Sequence, residues 1–216
     1  MLNSISRGKF ITFEGGEGGG KSTQILLLVD AIERVGNSVL ITREPGGAPS
    51  AEQIREILVS GAVDRWQPLT EALLNSAARA EHVAQTVEPA LNAGTWVLSD
   101  RFADSTIAYQ GYGHGLDLQT LTDLQQMVLG DFKPDLTIIL DLPVKDGLHR
   151  AISRGGKEDR YEQMGQDFHN RLRGGFLKIA NADKARCVII DAARSIDAVR
   201  ESILLALYCK FPELKP

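Results

Sequence analysis

The sequence predicts an α/β fold, a five-stranded parallel sheet flanked by helices, and three observations predict it. Five short runs, 9–14, 38–42, 96–99, 136–141 and 187–190, are nearly continuous in apolar, β-leaning residues. Strands covered on both faces read this way, whereas a half-exposed sheet alternates. Longer segments with helical apolar spacing separate the runs, the alternation that builds a doubly wound sheet. The chain has 216 residues, 43% of them hydrophobic and 24% charged. That is enough for one well-buried core and short for two, so residues 1–216 are expected to form a single domain.

Each element can be justified in order. Run 9–14 enters a glycine-rich stretch, 15–22, and then a helix over 22–35 with its apolar stripe at Ile25, Leu28, Val29 and Ile32. Gly36 and Asn37 stop that helix. Run 38–42 enters Arg43-Glu44-Pro45-Gly46-Gly47, followed by helices over 51–59 and 70–92, with Gly94 as a stop. Run 96–99 enters Asp100-Arg101. Helices over 118–129, 144–153, 166–181 and 196–209 complete the pattern around the last two runs. The segment 154–161 (RGGKEDRY) is polar and glycine-containing, and reads as a mobile loop between two helices. In open α/β sheets ligands bind beyond the carboxyl ends of the strands. The first three strands here end in charged or glycine-rich loops, as convergence on phosphate requires.

The stretch Gly15-Gly16-Glu17-Gly18-Gly19-Gly20-Lys21-Ser22 fits G-x-x-x-x-G-K-[ST] between a strand and a helix. Glycines let successive N–H groups curl inward onto phosphate oxygens, and the helix N-terminus adds partial positive charge. Lys21 supplies a point charge to the β- and γ-phosphates, and Ser22 a hydroxyl to Mg²⁺. Asp100 ends an apolar strand, where an acid can hold Mg²⁺ directly or through water; it reads otherwise as a helix N-cap or an Asp–Arg pair. The expected fold is therefore the three-layer P-loop NTPase fold. No Asn-Lys-x-Asp sequence of the guanine-specific GTPases occurs.

A formal net charge of −4 argues against a general nucleic-acid binder. The two cysteines, Cys187 and Cys209, lack metal-ligand spacing and read as free thiols in a reducing compartment. No run approaches the length of a membrane span, and residues 1–7 lack the apolar core of a signal peptide. The expectation is a cytoplasmic protein with neither nucleic-acid nor membrane partners.

Seven motifs in order resemble the thymidylate kinases, which phosphorylate dTMP at the expense of ATP. They are the stretch from Phe13 through Gly15 to Thr23, Thr42-Arg43-Glu44-Pro45-Gly46-Gly47, Ala77-Ala78-Arg79, Asp100-Arg101-Phe102, Ala108-Tyr109-Gln110-Gly111, Pro134-Asp135-Leu136-Thr137 and Asp159-Arg160-Tyr161-Glu162. The resemblance implies ATP on Gly15, Gly16, Glu17, Gly18, Gly19, Gly20, Lys21, Ser22 and Thr23, with Mg²⁺ at Ser22 and Asp100. It implies that Glu17 approaches the acceptor sugar's 3′-hydroxyl, and that Arg43, Arg55 and Arg101 hold the acceptor phosphate. Arginine's planar fork suits two phosphate oxygens at once. Arg55 also reads as a solvent-facing helix charge, and Glu44 either orients Arg43 or faces the acceptor sugar. Arg79, Thr106 and Gln110 look like the base-recognition set, and Tyr109 like the ring that excludes a ribose 2′-hydroxyl; core packing accounts equally well for Tyr109.

Two features sort the chain within that resemblance. Gly18-Gly19 stand where some members place a basic residue, so no loop arginine reaches the transferred group. By resemblance to bacterial members, a lid at about 154–161 closes over ATP and delivers Arg154 or Arg160, beside Lys157. Negative charge spread over the transferred phosphoryl calls for such a cation. The catalytic set implied is Lys21, Arg101, Arg154, Arg160 and Glu17. One departure stands out: four positions before Arg79 the family usually places a base-stacking aromatic, and this chain has Asn75. Phe102 or another aromatic is a candidate to compensate. The peptide bond before Pro45 is trans by default, although in the family it is often cis. Family members are usually homodimers.

Overall fold

The computed structural model describes residues 6–154 and 160–215, apart from the side chain of Arg154. Five strands form one parallel sheet in the order β2-β3-β1-β4-β5: β1 Phe10–Glu14, β2 Val39–Arg43, β3 Trp96–Asp100, β4 Leu136–Asp141 and β5 Cys187–Asp191. The five strands lie where the apolar runs place them, to within one residue at either end. Because every pairing is parallel, Glu14, Arg43, Asp100, Asp141 and Asp191 finish at the same edge of the sheet. All connections return through helices, as parallel strands require.

The sheet's two faces are built differently. On one, Ile11, Phe13, Leu98 and Ile138 pack against α1 (Lys21–Glu33) and α9 (Ile196–Lys210) in a largely apolar core, where buried Gln24 bonds the Ile196 carbonyl. On the other, Phe10 and Val97 meet Val83, Val87 and Leu91, while Ile139 meets α8 (Gln166–Ala182) through Leu172 and Phe176. This second face also buries polar side chains. The Thr12 and Thr137 hydroxyls bond each other at 2.8 Å, and Arg186 bonds Thr137 and both oxygens of Asp104. Buried polar groups persist only where partnered like this.

The helix expected over 70–92 runs as α3 (Pro68–His82), a widened π-helical stretch Val83–Val87, and α4 (Glu88–Asn92). A second widened stretch, Ile107–Gly113, follows the short α5 (Ala103–Thr106), where the sequence predicts no helix. Glycine makes room there: a Cβ on Gly175 of α8 would lie 2.6 Å from the Tyr112 ring. The remaining helices are α2 (Pro49–Val59), α6 (Leu118–Leu129) and α7 (Val144–Arg154). The lid expected at about 154–161 falls largely outside the described residues, as do Lys157 and the Arg154 side chain.

Candidate active site

The carboxyl edge of β1, β2 and β3 opens onto a cavity of about 530 Å³, a typical size for a small-molecule site. One end is the phosphate loop. Gly15, Gly18 and Gly20 all have positive φ, which only glycine adopts readily. Gly18 is also pinned from outside, because a Cβ there would lie 2.1 Å from the Gly147 carbonyl oxygen of α7. The Lys21 ammonium folds back onto the loop, donating to the carbonyls of Gly15 (3.3 Å) and Gly16 (3.0 Å). Burial, then the charge of Arg101, pulls its pKa below the usual lysine value. Ser22 Oγ donates to Asp100 Oδ2 at 2.8 Å, and both residues line the cavity. Two hard oxygens side by side at a helix N-terminus fit Mg²⁺.

Arg101 occupies the centre of the site with a left-handed backbone, φ 71°. That conformation costs a non-glycine residue about 1–3 kcal/mol. It aims the guanidinium at Gly15 O (2.9 Å), Ser105 Oγ (3.3 Å) and Glu17 Oε1 (3.0 Å). Tyr109 donates its hydroxyl to the same Glu17 oxygen and lies under the Arg101 guanidinium. Burial alone would raise the Glu17 pKa, yet Arg101, Lys21 and the Tyr109 hydroxyl hold it down to about 2. Three residues earlier Glu14 behaves oppositely. Burial, reinforced by Asp104, pushes its pKa up to about 8, despite bonds from Ser105 Oγ and the Phe102 N–H.

Arg43 and Arg55 line the cavity beside Arg101. Arg43 is held by Glu52 at 3.1 Å, and Arg55 donates to the Pro45 carbonyl at 2.7 Å. Glu44 does not orient Arg43. Its carboxylate turns inward and accepts from Arg79 Nε (2.7 Å) and His82 Nδ1 (2.9 Å). The Glu44–Pro45 peptide bond is cis, not the default trans. At the far end Thr106, Tyr109, Gln110, Asn75, Tyr161 and Glu162 complete the wall. Arg79 stands behind them, its Nε on Glu44 and its Nη2 on Phe102 O and Thr106 Oγ1.

Residues 13–203 match the model of the family described as thymidylate kinase. The chain belongs to the thymidylate kinase family. It is 53% identical over 199 residues to the thymidylate kinase of Caulobacter vibrioides, covering 92% of this chain and 95% of that one. The thymidylate kinase of Geotalea daltonii is 47% identical over 206 residues, covering 93% and 96%. Among solved structures, the crystal structure of thymidylate kinase from Ehrlichia chaffeensis superposes with a TM-score of 0.74 at 34% identity, over 93% of this chain and 99% of that one. The five-stranded P-loop architecture is therefore the thymidylate kinase fold.

Two expectations drawn from the resemblance differ from what the structure shows. Arg160, expected as a mobile lid cation, is 1% exposed. Its guanidinium is ion-paired with Glu71 and donates to the carbonyls of Leu58, Ala62 and Val63. A charge so desolvated and saturated is a structural anchor. Phe102 does not compensate for Asn75, because its ring is buried against Phe10 and Phe132. The aromatic on the cavity wall near Asn75 is Tyr161, packed edge-on to Tyr109 at 5.2 Å. Tyr109 itself serves in core packing as well as at the wall, its ring also meeting Phe168 and Phe176. Sequence reasoning missed Glu71, a helix glutamate that reads as a surface charge until Arg160 is seen beside it. The Arg150 guanidinium, on α7, donates to the Ala192 carbonyl at 3.3 Å.

Proposed function

We infer that this chain phosphorylates dTMP to dTDP with ATP. One observation carries the reading: a single cavity holds the phosphate loop at one end and the amide of Gln110 at the other, with Arg43, Arg55 and Arg101 lining it as well. Such a cavity takes a triphosphate and a nucleotide end to end.

In this reading ATP lies on residues 15–23, and the acceptor phosphate meets Arg43, Arg55 and Arg101. The Lys21 ammonium exchanges the loop carbonyls for the β- and γ-phosphate oxygens. Transfer is in line, directly to an acceptor phosphate oxygen. That oxygen is already ionised, so neither a protein nucleophile nor a strong base is required, and catalysis rests on positioning and charge neutralisation. Ser22 and Asp100 would hold Mg²⁺, which would supply positive charge to offset that of the phosphates. Glu17, ionised at neutral pH, accepts from the acceptor's 3′-hydroxyl as it now accepts from Tyr109. Tyr109 fills the space a ribose 2′-hydroxyl would need. Gln110 and Thr106 read the base edge, and Arg79 keeps Nη1, outside its bonds to Glu44, Phe102 and Thr106, for a pyrimidine carbonyl. Of the two lid arginines, Arg154 is the one assigned to the transferred group, since Arg160 is engaged elsewhere.

The chain is taken to act as a single domain and as a cytoplasmic homodimer. Leu69 and Leu73 of α3 and Leu118 and Met127 of α6 are exposed on two helices in contact, which supports a face of this kind. No helix among the described residues is long and apolar enough to cross a membrane. An acceptor competition with ATP and dTMP, dUMP, dCMP and dGMP tests the assignment. dTDP should dominate the products. Preference for a non-thymine acceptor overturns it, as does tight triphosphate binding without monophosphate-dependent turnover.

A further inference from the structure

Beneath the base end of the cavity lies a buried chain of polar side chains drawn from three distant parts of the sequence. Glu71, on the first turn of α3, is 0% exposed, Arg160 1% and Gln110 1%. Glu71 uses its two oxygens on two different neighbours. Oε1 is paired with the Arg160 guanidinium, and Oε2 accepts from Gln110 Nε2 at 2.9 Å. His114 Nε2 stands 3.9 Å from Oε2. Arg160 is in turn fixed by the carbonyls of Leu58, Ala62 and Val63.

The geometry points to Glu71 as the positioning residue that sets base specificity, by fixing which end of the Gln110 amide faces the acceptor. A free glutamine amide can turn over, presenting either a donor or an acceptor at almost no cost. A carboxylate offers only acceptor oxygens, so Gln110 must give Glu71 its nitrogen. That leaves the carbonyl oxygen for the ligand in the cavity that Gln110 lines. An oxygen there accepts from the N3–H of thymine or uracil. Cytosine has a bare N3 at that place, and two acceptors would face each other. Arg160 keeps the arrangement in register, because it holds the other Glu71 oxygen and is itself held by three carbonyls. Selection of an imide edge over a cytosine edge thus originates in a residue that touches no substrate. The inference rests on the dTMP reading above.

Glu71→Gln tests it with little change of volume. The new amide keeps its oxygen on Arg160 and turns its NH₂ toward Gln110. Gln110 then gives up its oxygen to that NH₂ and shows its own nitrogen to the base. Binding of dTMP, dUMP and dCMP to the full-length chain is measured by titration, with kcat and KM for each acceptor. dTMP and dUMP should weaken together, roughly 10- to 100-fold, the cost of one mismatched buried hydrogen bond. dCMP should hold or tighten, and the KM for ATP should not move. An equal loss for dTMP and dCMP would mean that Glu71 only supports the fold, and overturns the inference, as would no loss at all. If Glu71→Gln fails to fold, the charge-free pair Glu71→Gln with Arg160→Met replaces it. There the preference for dTMP over dCMP should collapse toward parity, and its survival is again fatal to the idea. A wild-type chain that ignores dTMP would instead sink the substrate assignment, a result distinct from these.

Discussion

The two ends of the cavity are made in opposite ways. At the phosphate end, eight consecutive residues, one aspartate and Arg101 form the site, and the groups that face the triphosphate are held lightly. Lys21 rests on two loop carbonyls, and Ser22 on Asp100, each a contact a ligand can replace. At the base end, Glu44, Glu71, Arg79, Gln110 and Arg160 come from four separate stretches and are locked into two buried ion pairs and the hydrogen bond from Gln110. A lightly held charge is available for chemistry. A buried, fully bonded one has already been committed to shape, because removing its partner leaves it desolvated and unpaired. Substitutions at the first end should therefore cost turnover, and substitutions at the second should cost stability or selectivity.

The largest effect expected is on turnover at the phosphate end. Lys21→Ala and Arg101→Ala should each lower kcat by roughly 10²–10³-fold, the usual loss when one preorganised charge stabiliser is removed. Far-ultraviolet circular dichroism should show the fold intact, and near-normal turnover in either variant would contradict the assignment. Next comes Arg160→Ala, which should destabilise the protein by about 3–5 kcal/mol in chemical denaturation while the folded fraction keeps most of its kcat. The reverse result, full stability with collapsed turnover, would return Arg160 to lid chemistry and erase the contrast between the two ends.

The smallest effect separates Glu14 from Glu17. With its folded pKa at about 8, against 4.5 unfolded, the Glu14 carboxyl takes up a proton on folding between those values. Its contribution to stability is whole below pH 4.5 and is lost as pH rises toward about 8, at no more than about 1.4 kcal/mol per pH unit. Glu17, held down to about 2, has the opposite sign: its contribution is whole above pH 4.5 and is lost as pH falls toward 2. Denaturation of the nucleotide-free chain at several pH values should show Glu14→Gln flattening the decline between pH 5 and 8, and Glu17→Gln leaving it in place. A wild-type profile flat over that range would remove the Glu14 assignment.

What could be read in the sequence follows the same division. The five strands, their parallel order of helices between them and the phosphate loop are encoded locally, by apolar runs and by glycines at fixed spacing. Arg101 was legible as a site residue, although its left-handed φ was not. The helical stretch 103–113 was not legible either. Its Ser, Thr, Ile and Gly residues are weak helix formers, and packing against α8 overrides them. Glu71 lies 89 positions from Arg160 in the chain, so that Glu71 alone reads as an ordinary surface charge. A motif singled out Arg160 and implied a lid role for it. Only its burial showed that the role in this conformation is structural.

The contact between Gly18 and Gly147 has a consequence for how this enzyme could be altered. A Cβ on Gly18 would collide with the Gly147 carbonyl, and one on Gly147 would lie 2.5 Å from the carbonyl of Glu17. The two glycines are thus interlocked, each occupying the room the other would need to acquire a side chain. Grafting a basic residue onto the loop at position 18 would force α7 off its seat. A cation carried at position 18 therefore demands a displaced α7, whereas one carried at position 19, where a Cβ would meet nothing nearer than 3.6 Å, leaves the helix in place.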